Sequence, residues 1–274
     1  MIPITEKEFN KLSQFIQENY GIHLKKEKMT LVTGRLHKLL LELGFKNFSQ
    51  YYNYVIHDKT GKAVTVLIDK ISTNHTFFMR ESEHFYFFRD IVLPDLKKTV
   101  TNKDLRIWCA ASATGEEPYT LAMILRDAFS EEASGWDTKL LATDISVSAL
   151  ETAKKGQYAS ERVEPMPKNW VLKYFSKKDS QTYEVVESLK REIIFRRFNL
   201  MENHFPFKQK FHVIFCRNVM IYFDQPTKDA LINKFYDLME PGGYLFIGHS
   251  ESLNRETTQF KYIKPAVYRK MPID

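Results

Sequence analysis

The sequence holds two cysteines, no internal repeat, no low-complexity tract and no apolar run of the roughly 18 residues a membrane-spanning helix needs. A disulfide scaffold is therefore excluded, and two isolated thiols are poor material for a metal site. Cys109 and Cys216 both fall in apolar, strand-like stretches, which reads as reduced thiols in a protein core. The opening MIPITEKEF is charged within six residues and carries no apolar signal segment, so a cytoplasmic location is expected. Charge of one sign is scarce as well, except at one end. Of the net charge of +6, residues 1–80 contribute most, with 12 Lys/Arg against 7 Asp/Glu. A basic first third fits an acidic partner, either nucleic acid or an acidic protein surface, or else a solvated lysine face.

What is present divides near residue 72. Thr5-Glu6-Lys7-Glu8 forms a capping box. Phe9, Leu12, Ile16 and Tyr20 follow at helical spacing and Gly21 stops the helix. A second helix carries Met29, Val32, Leu36, Leu39, Leu40 and Leu43 and ends at Gly44. Two shorter ones follow, the first with Tyr51, Tyr52, Val55 and Ile56 and the next with Val64, Leu67, Ile68 and Ile71. Residues 1–72 thus read as a small helical domain, with Lys28, Arg35 and Lys38 as a basic strip beside the apolar stripe of the second helix. From about residue 81 a Phe-rich helix leads into alternating strands and helices. Strands are expected at 105–111, 139–145, 211–219 and 243–249, and helices at 116–129, 146–155 and 226–239. That alternation predicts a doubly wound, mostly parallel α/β sheet over residues 73–274. The segment 183–200 reads as a hairpin or small antiparallel insertion, about 176–197, and FKYIKPAVYRK as one last strand.

In such sheets ligands bind at the carboxyl ends of the strands. The first strand ends at Ser112-Ala113-Thr114-Gly115, and the second at Asp144, 29 residues after that glycine. An acid there suits the two hydroxyls of a ribose. The loop lacks the first two glycines of the dinucleotide fingerprint and places Glu116 and Glu117 where a pyrophosphate would lie. Repulsion at an effective dielectric of ~20 makes that combination costly by several kcal/mol. A phosphate-free, cationic adenosine ligand fits better, and S-adenosylmethionine is such a ligand. One of the two acids is expected only to complement the helix dipole.

Four stretches occur in order: STNHTFFMRESEHF (72–85), WCAASATGEEPYTLAM (108–123), IFCRNVMIYFD (214–224) and MEPGGYLFIGHSESL (239–253). Together they resemble the CheR-type methyltransferases, which methylate glutamate side chains of bacterial chemoreceptors from S-adenosylmethionine, releasing S-adenosylhomocysteine. The likeness runs over nearly the whole chain. It implies cofactor contacts from Asn74, Thr76, Arg80, Glu117, Asp144 (on the ribose), Asn199, Leu200, Arg217 and Asn218, and catalytic roles for Arg80 and Tyr222. Met79 and the order CAASATGEEP depart from the common family wording without disturbing the spacing of Arg80, six residues after Asn74. The implied partner is the cytoplasmic helical domain of a methyl-accepting receptor, met by Lys28, Arg35 and Lys38, with recruitment to membrane-bound arrays, no nucleic acid and a monomeric enzyme. Some family members dock on a receptor-tail pentapeptide through a glycine-bearing β insertion. SKKDSQTYEVVESLKREI contains no glycine, so independence from such a tether is expected.

A glutamate carboxylate is ionised at neutral pH, with an unperturbed pKa of ~4.3, so the reaction needs no base and no metal. Accordingly no His-Asp or Cys-His arrangement stands among the motif residues. A nucleic-acid methyltransferase is the first rival, favoured by the basic N-terminal domain and opposed by the absence of an Asn/Asp-Pro-Pro-Tyr motif. A non-catalytic cofactor sensor is the second, opposed by retention of Arg80 and Tyr222.

Overall fold

The computed structural model describes residues 2–130 and 135–272. Four helices come first: α1 (Glu6–Tyr20), α2 (Met29–Glu42), α3 (Phe48–His57) and α4 (Lys62–Ile71). The capping box forms as written, with Thr5 and Glu8 exchanging hydrogen bonds, and α1 stops at a left-handed Gly21. The apolar stripes of these helices, including Leu12, Ile16, Val32, Leu36 and Leu67, close into one core. Ile145, from the second domain, packs against that core.

A longer helix then runs through α5 (Glu83–Phe87), a π turn (Phe88–Val92) and α6 (Leu93–Thr99). The alternating part follows as β1 (Ile107–Cys109), α7 (Glu116–Ala128), β2 (Leu140–Asp144) and α8 (Val147–Lys155). Next come β3 (Gln157–Ala159), α9 (Ser160–Val163), α10 (Lys168–Tyr174), β4 (Phe175–Lys177), β5 (Thr182–Val185), α11 (Glu187–Lys190) and β6 (Ile193–Arg197). The chain closes with β7 (Phe211–Cys216), α12 (Gln225–Asp237), β8 (Met239–Ile247), β9 (Lys261–Lys264) and β10 (Val267–Arg269). The main sheet has the order β6-β2-β1-β7-β8-β10-β9. Its first five strands run parallel, and β10 runs antiparallel to both its neighbours. The order reverses between β1 and β7, so a crevice opens above the carboxyl ends of β1, β2 and β7.

Two sequence readings are corrected. Residues 183–200 do not form a hairpin. β5 belongs to a separate three-stranded antiparallel sheet with β3 and β4, while β6 pairs in parallel with β2 at the edge of the main sheet. The small insertion therefore begins at β3 and ends before β6. Two β-rich runs close in sequence look like partners, but α11 separates them and each finds its mate elsewhere. Ile193 and Phe195 are buried while Ile194 and Arg196 face out, as a half-covered edge strand requires. The last segment, likewise, is two strands rather than one, joined by a turn with Ala266 at φ 61°. Cys109 and Cys216 are both free and buried, and burial pushes both thiols well above their ordinary range.

Candidate active site

The loop after β1 turns sharply through Ala113 at φ 45° and Gly115 at φ 100°. A Cβ at Gly115 would lie 2.8 Å from the Tyr158 hydroxyl and 2.9 Å from the Ala153 Cβ, so only glycine fits. The turn presents the Ala113 N–H to Asp144 Oδ2 at 2.8 Å, and the Ser146 N–H donates to Oδ1 at 2.9 Å. Each carboxylate oxygen of Asp144 thus keeps a lone pair for a further donor. Burial raises the pKa of Asp144 against these backbone donors, so hydroxyl ligands compensate a group that is otherwise short of solvent.

The two acids that open α7 part company. Glu116 is fully buried, ion-paired with Arg162 and bonded by the Thr114 hydroxyl at 2.7 Å. It is a structural anchor, and more than a dipole complement. Glu117 faces the crevice, where Oε1 accepts from the Cys109 thiol at 3.0 Å and Oε2 from Arg217 Nη1 at 2.5 Å.

Arg217 joins the walls. Its Nη2 donates to the Arg80 carbonyl at 2.6 Å and to Glu81 Oε2 at 3.0 Å, and its guanidinium lies 5.2 Å from the Phe85 ring centroid. Asn218 Nδ2 donates to Glu81 Oε1 at 3.0 Å, and the Asn218 N–H to Glu251 Oε2 at 3.0 Å. Burial opposes ionisation of Glu81, yet the Asn218 hydrogen bond and the Arg217 charge hold its carboxyl down to about 2. Met79, Glu81, Ala113 and Asn218 all have left-handed backbones without being glycine. Such strain persists where surrounding contacts over-determine the geometry, and here Ala113 and Asn218 line the crevice while Met79 and Glu81 flank Arg80, which also lines it.

Asn74, Thr76, Arg80, Glu117, Asp144, Asn199, Leu200, Arg217, Asn218 and Tyr222 all line this single cleft. Asn74 Nδ2 bonds the Ser146 hydroxyl at 3.3 Å, and the Thr76 carbonyl accepts from Arg162 at 3.2 Å. Arg80 Nη1 donates to the His75 carbonyl at 2.7 Å. Asn199 bridges the domains through Nδ2 to the Asn19 carbonyl at 2.8 Å, and Tyr222 does so by accepting the His23 N–H at 2.8 Å. Sequence reasoning missed Glu81, although it stands next to Arg80, and it missed the far wall. That wall comes from the helical domain and includes Tyr20, Ile22, His23, Leu31 and also Lys28 and Arg35.

The basic strip is divided by these contacts. Arg35 Nη1 bonds the Ile71 and Ser72 carbonyls at 2.5 and 3.2 Å, and Nη2 bonds the Thr73 hydroxyl at 3.0 Å. It fastens α2 to the segment that leads into the second domain. Lys28 stands at the cleft, and Lys38 is 88% exposed, 3.7 Å from Glu42.

The residues present fit a cationic adenosine ligand. Glu117 and Asp144 bring carboxylates to a lining that also holds Lys28, Arg35, Arg80 and Arg217. Arg217 is paired to Glu117 and Glu81, and Ala110, Ile145, Phe198 and Leu200 supply apolar wall for a flat base. The buried Arg217 Nε has no protein partner among the described residues.

Two family models match the chain: the CheR methyltransferase all-alpha domain over residues 7–72 and the CheR methyltransferase SAM binding domain over residues 74–269. The chain is 43% identical to the chemotaxis protein methyltransferase of Borreliella burgdorferi, over 98% of this chain and 96% of the relative. It is 38% identical to a probable chemotaxis protein methyltransferase of Rhizobium etli, over 93% of this chain and 96% of the relative. Against the chemotaxis protein methyltransferase of Escherichia coli the identity is 32%, over 97% and 92%.

Proposed function

Because the chain belongs to the CheR methyltransferase family, we propose that the interdomain cleft above the sheet holds both the methyl donor and the receptor glutamate, with the division of roles given below. The protein is an S-adenosylmethionine-dependent protein-glutamate O-methyltransferase that esterifies chemoreceptor glutamates. The observation that carries the proposal is the convergence of Asp144 and Arg217 from the ends of β2 and β7, and of Glu117 from the first turn of α7, on one cleft that also contains Arg80 and Tyr222. Asp144 binds the ribose hydroxyls. Glu117 and the Glu81–Arg217 pair face the charged amino-acid end, Asn74 and Thr76 border it, Asn199 and Leu200 shape the adenosine pocket, and Asn218 stands with Arg217 and Tyr222 beside the reacting methyl.

Bound S-adenosylmethionine supplies an electrophilic methyl group on a sulfonium. Arg80 and Tyr222 hold the receptor carboxylate so that one oxygen lies in line with the methyl carbon, at about 3 Å. That oxygen forms the new carbon–oxygen bond, the carbon–sulfur electron pair stays with sulfur, and no proton moves. Anion and cation are consumed together, so the apolar walls at Phe198 and Phe223 favour the step by keeping water out. The test is transfer of labelled methyl from the cofactor to chemoreceptor-containing membranes. Base-labile label is expected, and alkali-stable label would contradict esterification.

Asp144→Ala should weaken cofactor and demethylated product together, by about ten- to a hundredfold, the scale of charged hydrogen bonds. Asp144→Asn, which keeps one acceptor for the Ala113 N–H, should lose less. Calorimetry with both ligands measures this, and unchanged affinities would remove Asp144 from the ribose site.

For the receptor, Lys28 at the cleft and the exposed Lys38, which pairs loosely with Glu42, are the cations of the strip that a partner can reach, and Arg35 fastens α2 to the segment after α4. Lys28→Glu and Lys38→Glu should each raise the KM for receptor about two- to fivefold, the range of exposed ion pairs, without changing cofactor affinity. Normal receptor kinetics in the double variant would show a merely solvated face. No helix among the described residues is long and apolar enough to cross a membrane. Action in the cytoplasm, at receptor arrays, follows from the substrate.

A further inference from the structure

Beside the cleft, three metal-ligating side chains meet that methyl transfer does not use as ligands. Glu81 Oε2 lies 3.6 Å from His84 Nδ1, and the His84 and His249 ring centroids are 4.5 Å apart. One ligand atom from each of Glu81, His84 and His249 falls within 4.8 Å of the others. His84 is fully buried, and neither ring nitrogen has a hydrogen-bond partner among the described residues. An imidazole carries one N–H and one lone pair, and leaving such groups bare inside a protein is costly. The described residues supply no hydrogen-bond partner, so the site calls for one from outside.

The donor set decides which. Two imidazoles and one carboxylate suit a borderline divalent cation of the zinc class and suit magnesium or calcium poorly. The frame is firm: His84 is held one turn after Glu81 by its N–H to the Glu81 carbonyl at 3.0 Å, and the His249 N–H donates to Glu81 Oε2 at 3.1 Å. The exposed ring of His249 gives a path from solvent and leaves room for a water ligand. Glu81 also serves Arg217 and Asn218, so a metal ion there competes for a carboxylate that the cleft needs. We propose that Glu81, His84 and His249 form an inhibitory zinc-class site, whose occupation draws Glu81 from Arg217 and weakens cofactor binding.

The experiment uses the full chain stripped of metal by chelation. Titration with zinc should show one saturable equivalent per chain, and cobalt(II) should give the visible absorption of a low-coordinate nitrogen/oxygen site. His249→Ala, at an exposed position, should lose both signals, and His84→Gln should lose them too if it folds. Saturating zinc should weaken S-adenosylmethionine binding about tenfold in the wild type, within the ordinary range of coupling between sites, and leave His249→Ala unaffected. The metal readouts stand apart from the methyl-transfer reading. Absence of saturable zinc binding, or wild-type binding in His249→Ala, would overturn the site. A crystal structure grown with zinc that shows only a water on His84 would do the same. Saturable zinc with unchanged cofactor affinity would overturn the inhibition.

Discussion

Arg80→Ala should lower kcat for receptor methylation about a hundredfold, the scale of a lost charge-assisted hydrogen bond to an anion, while weakening cofactor binding much less. Arg80 is suited to that role by its surroundings. Its backbone is pinned by the Arg217 Nη2 bond to its carbonyl at 2.6 Å, and one guanidinium nitrogen is braced on the His75 carbonyl at 2.7 Å. The rest of the fork is aimed with little remaining freedom. Arg80→Lys should recover only part of the loss, since an ammonium cannot brace and bind in the same planar geometry. Tyr222→Phe keeps the ring on its short turn and removes one hydroxyl, so a smaller drop of about ten- to thirtyfold is expected. Single-turnover rates beside cofactor affinities by calorimetry separate the two effects. Wild-type rates in both variants would take these residues out of the mechanism.

Arg217→Ala should destabilise the fold by about 3–5 kcal/mol, the cost of stripping the partner from a buried charge. Its side chain is 1% exposed and is the cation between Glu81 and Glu117. Removing it leaves two carboxylates facing each other and deprives the Arg80 carbonyl of its donor. Chemical denaturation measures the change. Adding Glu117→Gln to Arg217→Ala should restore part of the stability, because the substitution removes one of the stranded charges. A single variant as stable as the wild type, with normal cofactor affinity, would show that the network is peripheral.

Much of this site was legible because its chemistry is local in sequence. Gly115 sits where a turn leaves no room for a side chain, and Asp144 ends a strand that its apolar run already marks. The helical domain was equally plain, since Thr5, Gly21 and the apolar spacing of α1 and α2 act within a few residues of one another. The misread parts depend on partners far away. β6 is defined by β2, 53 residues earlier in register (Leu140 opposite Ile193), and nothing within 183–200 announces that pairing. Glu81 gains its role from Arg217 and Asn218, more than 130 residues on. Arg35 looked like one more surface cation until the ends of α4 and the following segment came within reach of its fork. Of the two adjacent acids, Glu116 and Glu117, residue spacing alone shows only that one is structural and one functional, and the family resemblance singles out Glu117. Their partners, Arg162 for Glu116 and Arg217 for Glu117, are distant in sequence and could not be read from it.

The claim that one cleft catalyses by positioning, with no base, is tested most directly by the pH dependence of kcat. The measurement is receptor methylation at saturating cofactor and receptor between about pH 6 and 9, with the protein shown to be folded throughout. His23 and His75 line the cleft and are the groups there that could act as a base in this range. Positioning of an already ionised carboxylate predicts a flat profile across the window. A steep sigmoid centred near pH 7, abolished in His75→Gln or His23→Gln, would contradict it.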